Sequence, residues 1–498
     1  MQNGAMTRHS RALLPLVILA IGVALLRALP LLAHTPLLAI ANSFDQARYT
    51  GCFSVFPDRP PQIRPDENSP NAPFEHYRFL DNPVRLCYGS SELLLQGVTA
   101  AIFGAEELAG VERHSVRWIG FLRFALITAL VLAFCRTWWK RGQPLVALAN
   151  AAVFALVLTD PSDTMYFNTF YAEATALTAA YALFNLVLLQ HGRESTTRGA
   201  VLLALGALLL ATSKIQHLLL PTVLALVVLA YGRWHSGGWR QGRWPWQGWA
   251  LLTGAAVGAL FQFAQLSRDD LMMASIRSYN RTDVIFTGLL PAVSDPKATL
   301  ARLGMPERCA EHSGKAAWQM PGLGEDVCPG IEKLGRFRIL AEFLREPAAG
   351  VRFIVSGVTL VNPWLPRNLG HVEGEILGKL PAPFVTLSGV LDRTPWLRNG
   401  LYALPFIAAL FALRRHRATA FEPSEHIDAG GGFGLYALLT AALMLATFGI
   451  TLAGDGLADV AKQGHLVINA ALVFVVAGAV ALVGRLAGQP ARRQMLTA

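Results

Sequence analysis

The chain has 498 residues, of which 53% are hydrophobic and only 15% are charged, whereas a soluble globular domain carries about 25% charged residues. This composition, with apolar blocks near the length of a bilayer span, predicts a polytopic membrane protein. It excludes cytosolic enzymes, nucleic-acid-binding proteins and disordered proteins, so the net charge of +10 needs another explanation.

Ten apolar segments are predicted to cross the membrane, and the expected fold class is an all-α membrane protein with about 10–12 spans. The predicted spans are 12–33, 116–135, 143–160, 168–190, 199–213, 217–231, 248–266, 397–413, 432–453 and 465–484. The fifth and sixth are short for a span of about 20 residues. They are therefore either tilted or broken at the turn 214–217.

Lysine and arginine are unevenly distributed between the predicted loops. Alternate short loops hold 16 basic and four acidic residues, a balance of +12, whereas the rest of the chain holds 27 basic and 29 acidic residues. Because basic loops stay in the cytoplasm, this pattern predicts that both termini are cytoplasmic. The positive charge is thus a topology signal and not the footprint of a nucleic-acid partner.

A reporter fused to the C-terminus tests this topology. We expect the fusion to be active only with reporters that work in the cytoplasm, because the short basic loops fix the orientation. A C-terminal reporter that is active only in the external compartment would contradict the prediction.

Two large loops, 34–115 and 267–396, then lie on the external side. The stretch 91–103 has the pattern of an amphipathic helix on the membrane surface. The stretches 351–364 and 376–391 are moderately apolar and indicate either interfacial helices or a re-entrant pair. Three units follow in chain order: 1–266 with seven spans and the first loop, the loop unit 267–396, and 397–498 with the remaining spans.

The five cysteines give an independent indication of topology. Cys52 and Cys87 share the first large loop, Cys309 and Cys328 share the second, and Cys135 lies alone at a cytoplasmic helix end. This distribution predicts two within-loop disulfides in an oxidising compartment and a reduced Cys135. Each bridge would stabilise its loop by about 3–4 kcal/mol. Four unpaired thiols remain the alternative, and neither pair has the close spacing of a metal site.

Polar residues follow the first span directly, in the segment NSFDQARY at 42–49. Asp45 near the bilayer surface loses hydration, so its pKa is expected to rise towards that of a useful base. The alternative is a solvated loop acid that pairs with Arg48.

A second polar segment, DPSDTMYFNTFYAE at 160–173, joins the third and fourth spans. Asp160 and Asp163 fit helix-end caps, the ordinary role of such residues. Glu173 lies inside an apolar helix, where an ionisable group usually faces a cavity or a partner, and this favours a functional role. Four aromatic residues suit either a sugar-stacking surface or an interfacial aromatic belt: Tyr166, Phe167, Phe170 and Tyr171.

Further polar residues lie at the external ends of later helices. Lys214 and His217 sit in a turn between two short helices, where Lys214 is expected either to hold a lipid phosphate or to snorkel. Arg277 and Arg281 belong to the polar stretch 277–283.

The stretch GDGLADVAKQGH at 454–465 carries the last group. On a helix Asp455 and Asp459 share a face, and Lys462 lies close to Asp459. These residues form either an ion-pair cluster that caps the last span or part of an external polar site. The chain has no P-loop, no HExxH and no GxSxG motif, which disfavours an ATP-driven pump and a zincin.

These motifs resemble those of membrane glycosyltransferases of the GT-C superfamily. Asp45-Gln46-Ala47-Arg48-Tyr49 resembles the D-E-x-R-Y element that follows the first span in that family, with Gln46 in place of the second acid. The turn TSKIQH at 212–217 resembles a T-K-G-P element without its Gly-Pro. The stretches YNRTDVIFTGLLP and GDGLADVAKQGH are similar to bacterial proteins labelled glycan-biosynthesis hexose transferases.

The resemblance implies inverting transfer of a sugar from a polyprenyl-phosphate donor to a glycan, lipid or protein acceptor on the external face, within a GT-C-like fold. It also implies a location in a bacterial inner membrane. Asp45 would take the acceptor's proton, and Asp163 or Glu173 would orient the acceptor or the base. Lys214, Arg277 or Arg281 would neutralise the leaving phosphate. The remaining substrate-binding candidates are Arg48, Tyr49, His217, Asp455, Lys462 and His465. A divalent metal is a possible cofactor, although Gln46 disfavours a metal at the first element and no ligands are assigned.

Two other classes remain open. A polyprenyl-linked glycan ligase or acyltransferase would have a site led by arginine and histidine, without a base carboxylate. A flippase or secondary transporter would place its ionisable residues near mid-membrane in broken helices of paired repeats. Membrane lipids, the lipid-linked donor and its acceptor are the expected partners, and nucleic acid is not.

Overall fold

A computed structural model of the protein describes residues 8–63, 72–235, 244–361, 369–376, 380–381, 384, 387–419 and 429–495. Helices dominate this part of the chain, which confirms the predicted all-α class. The α-helices are Arg8–Leu32, Ser43–Thr50, Leu93–Leu108, Arg117–Lys140, Pro144–Val153, Pro161–Thr164, Glu173–Gln190, Thr197–Ser213, Leu220–His235, Trp246–Leu266, Leu271–Asp283, Leu290–Ala292, Pro296–Leu303, Arg336–Arg345, Pro347–Leu360, Leu387–Arg393, Pro395–Thr419, Ala429–Asp455, Val460–Gln463 and His465–Met495. Two π-helical segments, Phe154–Leu158 and Val284–Leu289, precede Asp160 and follow Asp283.

Eight helices in the described residues are long and apolar enough to cross a membrane. They are Ala12–Leu32, Arg117–Lys140, Glu173–Gln190, Ile215–Trp234, Trp246–Leu266, Pro395–Arg414, Gly432–Asp455 and His465–Gly484, and each overlaps a predicted span. The predicted third and fifth spans are the shorter apolar helices Pro144–Leu158 and Thr197–Ser213. The protein is therefore polytopic, with two of its ten predicted spans shorter than a full crossing.

One predicted span has a later start than expected, and one of the two alternatives for the turn 214–217 is confirmed. The span predicted at 168–190 begins at Glu173, because 165–172 is an irregular segment. The helices around 214–217 are broken rather than merely tilted. Lys214 has an extended backbone and is followed by the 3₁₀ turn Ile215–His217.

The predicted interfacial helices are partly present. Helix Leu93–Leu108 exposes Leu94 and Val98 and buries its opposite face, as an amphipathic helix should. The stretch 351–364 corresponds to helix Pro347–Leu360. Within 376–391 the helix Leu387–Arg393 begins at 387, and part of the stretch lies outside the described residues.

Short strands, which the sequence did not predict, form two small sheets in the large loops, and one of these sheets joins the two loops. Leu38–Ala41 pairs antiparallel with Gly370–Val372, and its four residues are all buried. Val55–Pro57, His76–Phe79 and His114–Ser115 form a three-stranded antiparallel sheet. Loops that are hundreds of residues apart are therefore held together by backbone hydrogen bonds.

Both predicted disulfides are confirmed. Cys52 is bonded to Cys87 and Cys309 to Cys328. Cys135 is a buried free thiol whose Sγ donates to the carbonyl of Ala147 at 3.3 Å. The cysteine pairs lie on the loop side of the bundle, and the free thiol lies in a span.

Candidate functional site

A cavity of about 550 Å³ lies where the loop-side ends of several spans meet the two large loops. Five carboxylate side chains line it: Asp45, Glu173, Asp283, Asp455 and Asp459. Three cations line it as well, namely Arg48, Lys214 and Lys462, together with aromatic residues that include Tyr49, Tyr171, Tyr279 and Trp318. The structure thus brings together seven of the predicted site residues: Asp45, Arg48, Tyr49, Glu173, Lys214, Asp455 and Lys462.

The helix Ser43–Thr50 presents the first group of these side chains. Asn42 caps this helix, because its side-chain oxygen accepts from the Asp45 backbone nitrogen at 2.7 Å. Positions three and four residues apart share a helix face, so Asp45, Arg48 and Tyr49 all point into the cavity. The Tyr171 hydroxyl accepts from the Asn42 backbone nitrogen at 2.8 Å and fixes the start of the helix.

Asp45 lies between two cations. Its Oδ2 is 2.9 Å from Lys462 Nζ, and its Oδ1 is 3.0 Å from the guanidinium of Arg48. Burial alone would raise the pKa of Asp45, but the charges of Lys462 and Arg48 outweigh it and hold the pKa well below the usual carboxyl range. The rise that we expected from the sequence is therefore wrong, because the partner Lys462 comes from the distant end of the chain.

Glu173 and Lys214 form a second ion pair. Lys214 Nζ donates to Glu173 Oε1 at 2.7 Å, and the glutamate is almost fully buried at the start of its span. The snorkelling alternative for Lys214 is wrong, because its ammonium group faces this partner and the cavity. The functional interpretation of Glu173 agrees with its position in the cavity wall.

Asp283 lines the cavity although we did not select it from the sequence. It is the last residue of helix Leu271–Asp283, and its Oδ1 accepts from the Ala317 backbone nitrogen at 2.7 Å. Burial raises the pKa of Asp283 to about 8, and the nearby carboxylates of Asp455 and Asp459 add to this effect. Within the described residues no cation forms an ion pair with it. An acid followed directly by the apolar run VIF was the signal that could have identified it.

The stretch 454–465 contributes both an ion pair and part of the polar cavity, so its two interpretations are compatible. Lys462 forms an ion pair with Asp459, and both side chains line the cavity together with that of Asp455. Asp455 accepts from Gln463, and Asn280 donates to it at 3.2 Å when its amide is turned with the nitrogen inward. In the described part of the chain, Asp459 Oδ1 is buried and has no hydrogen-bond partner.

Arg277 and Arg281 do not line the cavity. Four residues of helix Leu271–Asp283 line the cavity at the spacing of one helix face: Ile276, Tyr279, Asn280 and Asp283. The two arginines lie on other faces of this helix and point away from the cavity. Arg281 forms an ion pair with Glu332, and Arg277 donates to the carbonyls of Leu266 and Arg268 at 3.2 and 3.0 Å.

Asp163, His217 and His465 also lie outside the cavity lining. Asp163 is buried and accepts from Asn469 at 2.7 Å, and burial raises its pKa well above the usual value. His217 hydrogen-bonds the Ser213 hydroxyl at 2.9 Å. The two ring nitrogens of His465 lie 3.1 and 3.2 Å from the carbonyls of Lys462 and Glu173. Of these three side chains, His465 contacts the backbone of two cavity residues and so supports the cavity wall from behind.

Gln46, which stands where the D-E-x-R-Y element has its second acid, has a structural role. Its side-chain oxygen accepts from the Phe170 backbone nitrogen at 2.8 Å, and its nitrogen donates to the Asn42 carbonyl at 2.9 Å. An ionised glutamate has no proton to donate and could not make both contacts. The segment that Gln46 holds contains the four aromatic residues, all at most 2% exposed. An aromatic belt is therefore wrong, and among the four Tyr171 lines the cavity.

Arg123 holds the same irregular segment from the opposite side. Its guanidinium donates to the carbonyls of Tyr166, Phe167 and Tyr171 at 2.8–2.9 Å and forms a fully buried ion pair with Glu92. These contacts satisfy backbone carbonyl groups of a segment that forms neither a regular helix nor a strand.

We expect Arg123→Met to reduce the free energy of unfolding by about 3–5 kcal/mol, because it leaves the buried Glu92 carboxylate without its cationic partner. Thermal unfolding in detergent measures the effect. The matched control Arg123→Met with Glu92→Gln removes both charges and should be less destabilised. Equal stability of the single variant and the wild type would contradict this account.

In the described residues, no group of three or more histidine, cysteine, aspartate or glutamate side chains could hold a metal ion. Three of the cavity carboxylates, Asp45, Asp459 and Glu173, are instead engaged in ion pairs with lysine or arginine side chains. No step proposed below involves a metal.

The membrane spans and the polar cavity at their loop-side ends define a polytopic membrane protein with a buried, charged site. The model of the YfdI N-terminal transmembrane domain family matches residues 66–492, and the chain belongs to this family. No curated protein and no solved structure matches the chain.

Proposed function

We propose that this protein is an integral membrane glycosyltransferase. It transfers a sugar from a polyprenyl-phosphate-linked donor to a glycan, lipid or protein acceptor on the external face of the membrane. The observation that supports this function best is a single cavity at the ends of the spans that is lined by three cations and by carboxylates with oppositely shifted pKa values, lowered for Asp45 and raised for Asp283. A lipid-linked donor would reach such a cavity from the bilayer.

The cations suit the leaving phosphate. Arg48, Lys214 and Lys462 all face the cavity, and Arg48 Nε is buried without a hydrogen-bond partner within the described chain. An unsatisfied guanidinium N–H is costly in a buried site unless a ligand accepts from it. Cations that are already in place when negative charge develops on the phosphate lower the barrier to transfer.

The proton acceptor in this proposal is Asp283 rather than Asp45. A general base works best when its pKa is near the working pH, and the pKa of Asp283 is raised to about 8. Asp45 is held ionised by Lys462 and Arg48, so it is a weak base. Its fixed negative charge would instead stabilise the positive charge that develops on the sugar ring, and it keeps the two cations in position.

The rival classes receive less support from this cavity. A ligase site led by arginine and histidine does not fit a lining with five carboxylates, from which His217 and His465 are absent. The charged residues also gather at the ends of the spans, whereas a transporter would place them near mid-membrane.

Asp45→Asn tests the site directly. We expect this variant to lose about 10²–10³-fold in sugar transfer, because Asn keeps the shape of the side chain but removes the charge. Donor binding and folding should be retained, since Lys462 keeps Asp459 as a partner. The measurement is transfer from a purified polyprenyl-phosphate sugar in nanodiscs. Wild-type activity in Asp45→Asn would remove Asp45 from the proposed mechanism.

A further inference from the structure

A second cavity of about 690 Å³ lies between the spans and has its mouth at the helix ends opposite the polar cavity. Its lining extends from Leu177 and Leu466, near the polar cavity, to Arg141 and Arg193 at the mouth. Helix Glu173–Gln190 begins at the polar cavity and ends beside this mouth, so the polar cavity and the mouth are about 25 Å apart along the helix axis. The second cavity is bounded by the helices Pro144–Val153, Ala429–Asp455 and His465–Met495, and most of its lining is apolar.

The interior of this cavity suits a hydrocarbon chain. Its polar side chains are largely paired with one another: the Tyr181 hydroxyl donates to Asn150 at 2.7 Å, and Trp138 Nε1 donates to Asn185 at 3.1 Å. These groups therefore do not need hydrogen bonds from a ligand. Leucine, valine and alanine side chains supply the rest of the lining, including Leu188, Val473 and Ala477.

The mouth of the cavity has the opposite character. Arg141, His191 and Arg193 lie there, and the Arg141 guanidinium is held by the Leu189 carbonyl at 2.6 Å and by the Trp138 ring at 5.7 Å. Burial and the nearby charge of Arg193 lower the pKa of Arg141. Within the described residues neither arginine has a carboxylate partner. Two guanidinium groups that repel each other are stabilised by a shared anion.

We propose that this cavity binds a lipid phosphate monoester, with its apolar chain between the helices and its phosphate on Arg141 and Arg193. A monoester carries a charge of about −1.5 to −2 at neutral pH, which matches two guanidinium groups. A phosphodiester headgroup carries one negative charge and would leave one of them uncompensated. By the topology that we expect, this lipid lies in the cytoplasmic half of the membrane, away from the proposed transfer site.

Photo-cross-linking tests the proposal. The probe is a prenyl phosphate with a photoreactive group on its chain, added to the full-length protein in nanodiscs, and the cross-linked peptides are mapped. We expect labelling within 144–158 and 432–443. Arg141→Gln with Arg193→Gln should reduce this labelling about tenfold or more. The matched control Arg136→Gln with Arg198→Gln removes the same charge from exposed positions on the same face and should label like the wild type.

Several outcomes would overturn the proposal. One is equal labelling of the cavity in the double arginine variant, and another is equal competition by phosphatidylglycerol, a diester. A third is labelling that appears only after Glu422, Glu425 and Asp428 are changed to Gln. That result would mean that the two arginines of the mouth bind this acidic segment, and not a lipid phosphate, in the wild-type protein. Cross-links confined to peptides around Asp45 would also overturn it but would leave the proposed transfer site intact.

Discussion

Asp283→Asn is expected to lower the turnover number for sugar transfer by about 10²–10⁴-fold, the usual contribution of a general base. Asn keeps the contact to the Ala317 backbone nitrogen but cannot accept the proton of the acceptor hydroxyl. The Michaelis constant for the donor should change little, because Asp283 is assigned to the acceptor's proton and not to the phosphate. Initial rates with purified protein at saturating donor measure the effect.

The assignment of Asp283 as the base also predicts how the transfer rate changes with pH. A base works only when it is deprotonated, so the wild-type rate should rise with pH and level off above about 8, where Asp283 is ionised. Asp283→Glu should keep a rising limb, and Asp283→Asn should lose it. Asp163→Asn is the matched control, since Asp163 is another buried acid with a raised pKa but lies outside the cavity lining. A rising limb that persists in Asp283→Asn would assign the base to another group.

Lys214→Gln with Glu173→Gln is expected to lower kcat/KM for the lipid-linked donor by about 10–100-fold. This corresponds to the loss of one charge-assisted contact of about 1.5–3 kcal/mol to the phosphate. The double substitution is used because Lys214→Gln alone would leave the buried Glu173 carboxylate without its partner. Donor titrations at fixed acceptor give the value.

Two control variants distinguish the loss of the Lys214 charge from the loss of the ion pair between Lys214 and Glu173. Glu173→Gln alone leaves the ammonium group free to meet the phosphate and should retain more activity than the double variant. Lys214→Arg keeps the positive charge and should retain part of the donor affinity. A double variant with wild-type kcat/KM would show that Lys214 does not contact the donor.

Local patterns in the sequence were enough to predict much of the fold. The spans follow from runs of apolar residues, and the disulfides follow from cysteines that share a loop. The short strands were missed because Leu38–Ala41 has only four apolar residues, and its partner Gly370–Val372 lies more than 300 residues away. Nothing in either segment alone indicates that pairing.

Part of the candidate site could be predicted from one rule: an ionisable residue next to an apolar run usually faces a cavity or a charged partner. That rule identified Glu173 and Lys214, and their ion pair supports it. It failed for Arg277 and Arg281, because one turn of helix decides which side chains face the cavity. It also gave the wrong pKa direction for Asp45, because Lys462 lies 417 residues further along the chain and its charge outweighs the effect of burial.

The most direct test of the proposed function is to incubate wild-type protein in sealed vesicles with a polyprenyl-phosphate donor whose sugar is labelled, in the presence of acceptor. Glycosyl transfer predicts that the label moves to the acceptor and that free polyprenyl phosphate appears in equal amount. Removal of the labelled sugar from the donor should depend on the carboxylate side chains that line the cavity. The opposite result is a donor that crosses the bilayer with its sugar still attached and no labelled product, and it would show that the protein moves a lipid instead of transferring a sugar.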